Sequence, residues 1–301
     1  MRKGLIGTLA AALAVTTAVA GCGGGGGEGD GGGTDSAARG PVIEGTPPAK
    51  AYDGPLDVPG KETDGGDEDD PRRLRDASGS AGRALECDGE MYGGGNSDPW
   101  SEGDGGSSPE EGLRAYFDIE QPDVPRSGYR VEREEGGRVL YSFDVGGETK
   151  VAVVVAEDRP GRPGWGPETS ASCDPAELPA SYTDSQGYEI WTDARGRRVP
   201  VTRMSGSAGP EHCDWQSAHF LHLTEGREKR MYVRDPEGVF PPEDFSTRYD
   251  GDAVLPPDAR DTGYRQGERA LFRTSDPSRV YIRTPQGVEL WPAPKQEFGC
   301  A

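Results

Sequence analysis

Four cysteines divide most of this chain into two stretches of almost equal length, and no other feature constrains its fold as much. Cys87 and Cys173 stand 86 residues apart, and Cys213 and Cys300 stand 87 apart. Four oxidised cysteines allow three connectivities. The text between them favours one, because it recurs in order. Cys87-Asp88 returns as Cys213-Asp214, Pro109-Glu110-Glu111 as Pro242-Glu243-Asp244, and Tyr116 as Tyr249. Gly128-Tyr129-Arg130 returns as Gly263-Tyr264-Arg265, and Arg138-Val139-Leu140-Tyr141 as Arg269-Ala270-Leu271-Phe272. Lys150-Val151-Ala152-Val153 matches Arg279-Val280-Tyr281-Ile282, and Trp165 and Trp291 precede the closing cysteines. The offset drifts between 126 and 135 residues, which requires small loop insertions. The series points to tandem duplication, in which Cys87–Cys173 and Cys213–Cys300 are the disulfides and each closes one module. A Cys87–Cys300 link would exclude it. In the chain-entropy model a loop of that size contributes up to about 4.5 kcal/mol, which matters for modules too small to rely on their cores alone.

Local patterns give each module the same expected build. Ser108, Pro109, Glu110 and Glu111 supply an N-cap, a first-turn proline and acids at the positive end of a helix dipole. That helix is expected to reach residue 117. Strands follow at 129–134, 138–145 and 149–156, separated by Gly136-Gly137 and Gly146-Gly147 as hairpin turns. The run 151–155 is apolar on both faces and reads as the central strand. Further hairpins are expected at 188–192 with 198–203, and at 220–223 with 230–234. One helix on a small antiparallel sheet makes each module an α+β unit.

The start of the chain has a different character. Arg2 and Lys3 precede an uncharged apolar run from residue 4, and Val19, Ala20 and Gly21 then lead into Cys22. A charged start, an apolar stretch and a small-residue cleavage site are the parts of a secretory signal. The run is shorter than the roughly 20 apolar residues that a bilayer core needs. Cysteine directly after Ala-Gly resembles a lipobox, whose thiol is diacylglycerated before cleavage, although the pattern prefers Leu where Val19 stands. Two acyl chains at Cys22 give stable anchoring where one is marginal. Residues 23–86, rich in Gly, Pro, Asp and Glu, carry almost no large apolar residue. They are expected to be a disordered tether, spanning roughly 45 Å as a flexible coil and lifting the folded part into the wall. The acidic cluster Asp67, Glu68, Asp69 and Asp70 lacks the spacing, central Gly and closing Glu of a calcium loop.

Among 33 basic residues only six are Lys, and Asn occurs once, at Asn96. With the Gly, Ala, Arg and Asp abundance, this chain resembles uncharacterised lipoproteins of high-GC Gram-positive actinobacteria. That resemblance implies residence at the outer face of a cell membrane, lipid-anchored through Cys22, and carries no known activity. The net charge of −20 falls mostly on residues 87–301 and excludes nucleic acid as the expected partner.

Catalytic signatures are weak. The three histidines, His212, His219 and His222, lie close in sequence, and His219 and His222 are the only candidates for a metal. They share a face on a helix and oppose each other on a strand. Ser205-Gly206-Ser207-Ala208-Gly209 resembles a nucleophile elbow but lacks the Gly two places before Ser207. No catalytic residue and no cofactor is assigned.

The expected organisation is a signal peptide at 1–21, a tether at 22–86 and modules at 87–180 and 181–301. The expected role is a non-catalytic binding or envelope-interaction protein. Its partners are the bilayer, through acylated Cys22, and an extracellular ligand or envelope protein, with Trp100, Trp165, Trp191, Trp215 and Trp291 as candidate contacts. The alternatives are a metal-dependent extracellular hydrolase and the solute-binding component of a transporter.

Overall fold

The computed structural model describes residues 42–43, 50–61, 71–97, 103, 105–226, 228–296 and 298. The signal segment, Cys22, most of the glycine-rich stretch, the acidic cluster at 67–70, Trp100 and Cys300 lie outside the described residues. The architecture is α+β: mostly antiparallel strands in three sheets, with few helices.

The first half is organised by the valine run. Strand β5 (Glu148–Arg159) is buried from Thr149 to Ala156 and lies between β4 (Arg138–Val145) and β6 (Arg162–Cys173). Strand residues alternate faces, so a strand apolar on both needs two covers. Val151, Val153 and Val155 pack under helix α3 (Pro109–Ile119), against its Leu113 and Phe117. Ala152 and Val154 pack on the opposite side against Leu56, Ala81 and Ala84. The six-stranded sheet is completed by β1 (Val42–Ile43), β2 (Met91–Asn96) and β3 (Ser127–Glu135), in the order β1-β3-β4-β5-β6-β2. The two Gly-Gly turns form as expected, with all four glycines at positive φ. Ser108 caps α3, its Oγ accepting from the Glu111 N–H.

That second cover corrects the extent assigned to the tether. Residues 71–84 fold as α1 (Pro71–Ala77) and α2 (Gly79–Ala84), and Leu56 is only 1% exposed. The Ser80 hydroxyl fixes the segment, donating to the Pro55 carbonyl at 2.9 Å and accepting from the Val58 N–H at 3.1 Å. Averaged over residues 23–86, a few small apolar side chains disappear among glycines. Against a sheet face of Ala152 and Val154 they are enough.

Among the described residues the second half does not repeat this arrangement. Strands β7 (Glu189–Ile190), β8 (Met204–Ala208), β9 (His219–Glu225) and β10 (Glu228–Arg234) form one four-stranded sheet. Strands β11 (Arg260–Gln266), β12 (Arg269–Arg273), β13 (Arg279–Thr284) and β14 (Gly287–Pro292) form another. Their shared core holds Trp191, Tyr232, Leu271, Ile282 and Trp291. The expected helix at Pro242-Glu243-Asp244 is a single 3-10 turn, after which Phe245 is extended. Pro241 occupies the cap position and offers no side-chain acceptor, unlike Ser108. Phe245 is instead drawn into an aromatic cluster with Phe240 and Phe298. Among the described residues the second half has one α-helical turn, at Ala180–Thr183, and the helix expected at Pro242 does not form. The 188–203 hairpin forms its turn, where the Asp193 N–H donates to the Arg197 carbonyl, and a short stretch of pairing that ends at the Thr192–Arg198 bridge and the Val199 N–H bond to the Trp191 carbonyl. Pro200 has no N–H for a ladder, and β7 pairs with β8 instead. The 220–223 and 230–234 pair forms as β9 and β10.

The halves meet at Asp174, which is 2% exposed. Its carboxylate caps the Ala176 N–H at 2.8 Å and accepts from the Val201 N–H at 3.0 Å and the Thr202 N–H at 3.4 Å. Cys87 and Cys173 are joined, with Cα atoms 5.4 Å apart. Cys213 is also disulfide-bonded, and its expected partner Cys300 lies outside the described residues. Among those residues no helix is long and apolar enough to cross a membrane.

Candidate functional site

The edge of the six-stranded sheet carries a strand in which three of six residues are glycine. β2 reads Met-Tyr-Gly-Gly-Gly-Asn and pairs antiparallel with β6. Gly94 has φ +145°, and a Cβ there would lie 2.3 Å from the Ser78 Oγ and 2.6 Å from the Ser170 carbonyl oxygen. Only glycine lets β2 pass between α2 and β6 so closely. A Cβ on Gly93 would crowd the Ser172 Oγ at 3.3 Å. A cavity of about 140 Å³ lies over β2 and β6, lined by Gly93 and Gly94.

Four tyrosines wall it: Tyr92 from β2, Tyr116 from α3, Tyr182 from α4 (Ala180–Thr183), and Tyr188 from the loop before β7. Tyr92 and Tyr188 meet edge to face, their ring centroids 5.9 Å apart, and the Tyr188 hydroxyl donates to that of Tyr92 at 3.4 Å. Deeper, Tyr182 shares a hydrogen bond of 3.2 Å with the Tyr129 hydroxyl. Gln121, Gln186, Ser170 and Ser172 add amides and hydroxyls. Among the described residues no charged side chain lines the cavity.

Burial pushes the Tyr116 and Tyr129 phenols well above their ordinary range and raises Tyr182 to about 12. All three are neutral at physiological pH, and a phenol donates or accepts one strong hydrogen bond beside an apolar ring face. Among the described residues the site offers no carboxylate pair, no nucleophile with an adjacent base and no metal ligand set. It can hold an uncharged group about the size of one ring, since an apolar cavity near 150 Å³ accommodates benzene.

The residues singled out in the sequence lie elsewhere. His219 and His222 sit on β9, three residues apart, and face opposite ways. His219 Nε2 lies 3.0 Å from the Glu189 Oε2, while His222 is exposed, so the two do not form a metal site. Burial raises the Glu189 carboxyl, but bonds and charges from His219 and Arg269 outweigh it and hold it below the ordinary range. Among the described residues the grouping of metal-ligating atoms is Cys87, Cys173 and Glu177, and its two sulfurs are already bonded to each other. Ser205 to Ala208 lie along the plain strand β8 and make no elbow. Trp191 and Trp291 are 0% and 1% exposed and belong to the core, which removes them as contacts. Trp165 and Trp215 are half-buried against core clusters.

Sequence reasoning missed the tyrosine cavity. Its traces are Tyr92 before three glycines and the pair Tyr182 and Tyr188 soon after Cys173. No protein-family model, curated protein or solved structure matches this chain.

Proposed function

We propose that this chain is an exported, lipid-anchored and non-catalytic binding protein whose tyrosine-lined cavity receives an uncharged, ring-sized group of an extracytoplasmic ligand. The observation that carries the binding role is the cavity itself: four tyrosines around about 140 Å³ with no charged wall among the described residues. Aromatic faces with neutral amides and hydroxyls suit a ligand that presents both apolar and hydroxyl surfaces, as a neutral sugar ring does.

Export is supported by chemistry of a separate kind. Cys87 and Cys173 are joined and Cys213 is bonded, and such bonds persist in oxidising compartments. The Arg2–Lys3 start and the small residues before Cys22 make the address. The Cys213–Cys300 pairing belongs to this proposal, and non-reducing peptide mapping tests it: a 213–300 cross-linked peptide is expected, and a 22–213 one excludes it.

The cavity is tested by titrating the isotope-labelled chain with neutral monosaccharides and with their uronic-acid counterparts. Neutral rings are expected to shift the Tyr182 and Tyr188 ring resonances saturably, and Tyr188→Ala is expected to weaken the effect about tenfold. Shifts from the charged series alone, or none from either, would exclude the reading.

A further inference from the structure

On the second half, near the Asp174 junction, three arginines converge on a pocket of about 450 Å³: Arg197, Arg198 and Arg203, with Asp193 and the Tyr264 hydroxyl beside them. The surplus of acids in this chain makes such a cluster unusual, because like charges gathered without a counter-ion repel one another. Asp193 is the one acid lining the pocket among the described residues, and it is saturated. One of its oxygens accepts from the Arg195 and Arg197 N–H groups, the other from the Arg197 guanidinium at 2.8 Å.

Arg198 and Arg203 have less. The Arg198 Nη2 reaches the Pro175 carbonyl at 3.4 Å, while its buried Nε has no hydrogen-bond partner. Arg203 touches the Tyr264 hydroxyl at 3.5 Å. Glu225, whose charge Arg203 also feels, is bonded by Arg273. Burial depresses the Arg198 guanidinium despite attraction from Asp184 and Asp174.

The pocket wall is held in place before anything binds. The Val199 N–H donates to the Trp191 carbonyl at 2.8 Å, and the Val201 N–H to Asp174 at 3.0 Å, so the loop bearing all three arginines is fastened between fixed points. Thr192 and Arg265 exchange backbone hydrogen bonds, which ties the same loop to the strand that carries Tyr264.

We infer that this pocket is an oxyanion site for a phosphate group, bound by Arg198 and Arg203 with Tyr264 as a neutral donor. Of the nearby acids, Asp193 is saturated, Asp174 is taken up by backbone amides and Glu225 is bonded by Arg273. Arg198 and Arg203 therefore keep donors for a phosphate dianion, which takes two guanidinium groups where one planar fork would satisfy a carboxylate. The site is independent of the tyrosine cavity and goes beyond the proposed function. The phosphate could belong to a soluble ligand or to a lipid headgroup, and both present the same oxygens.

The test titrates the full chain carrying Cys22→Ala, so that no acyl anchor draws it to a membrane, with inorganic phosphate, followed by phosphorus NMR, and in parallel with vesicles of phosphatidic acid in phosphatidylcholine against phosphatidylcholine alone, followed by sedimentation. Saturable binding in either arm is expected, weakened about tenfold by Arg198→Gln and by Arg203→Gln and left within about twofold by Arg195→Gln, which alters a residue outside the wall. Binding of free phosphate identifies a soluble source, and binding of vesicles alone a headgroup. Arg203 is exposed, so Arg203→Gln stays informative if Arg198→Gln fails to fold. Absence of binding in both arms, or binding that neither arginine substitution weakens, would overturn the inference.

Discussion

At the scale of single residues, the course of the strand that borders the tyrosine cavity depends on a missing side chain. Gly94 sits where a methyl group would meet Ser78 and the Ser170 carbonyl, and its φ of +145° is one that side chains avoid. Gly94→Ala is expected to destabilise the protein by more than about 1 kcal/mol, read as a lowered thermal midpoint with loss of ligand-induced shifts at Tyr188. Glu189 makes a prediction in pH. His219 and Arg269 hold its carboxyl below the ordinary 4.5. A carboxyl depressed by folding contributes stability that is present above its unfolded value and lost as pH falls through its folded value. Thermal midpoints should therefore fall below about pH 4.5, and Glu189→Gln should lower the midpoint at pH 7 while flattening that acid limb. An unchanged acid limb in the variant would show that Glu189 does not contribute.

At the scale of elements, what could be read in sequence was set by whether a segment carries its own cause. The hairpins β3–β4–β5 do: Gly136-Gly137 and Gly146-Gly147 turn the chain, and the valine run demands cover on both faces. Helix α3 does as well, through Ser108 and the apolar stripe of Leu113, Tyr116 and Phe117. Ser108→Ala is expected to cost about 1 kcal/mol in chemical denaturation. Residues 242–244 carry the same Pro-acid-acid chemistry without a cap, and a turn results where a helix was expected. The cover at 50–61 and 71–84 could not be read because its burial is supplied by the sheet, through Ala152 and Val154. Leu56→Ala is expected to cost about 2–5 kcal/mol, a value for core leucines and not for a tether. The cavity was illegible for a related reason. Tyr92, Tyr116, Tyr182 and Tyr188 come from four segments that only the fold brings together.

At the scale of the whole molecule, two devices tie distant sequence together. The Cys87–Cys173 bond joins the loop between α2 and β2 to the end of β6, and Asp174, the next residue, fastens the second half through the Val201 and Thr202 amides. Replacing both cysteines by serine is expected to remove about 2–5 kcal/mol, measured as a shift in the denaturant midpoint. In the proposed function, oxidised cysteines, a glycine-rich spacer and a ligand met outside the cell would all draw their sense from one event at Cys22. The most direct measurement is therefore labelled palmitate fed to cells expressing the full chain. The account predicts label on the membrane fraction of the wild type and none on Cys22→Ala. Recovery of an unlabelled chain, still bearing Met1 and with reduced cysteines, from the soluble interior would contradict it.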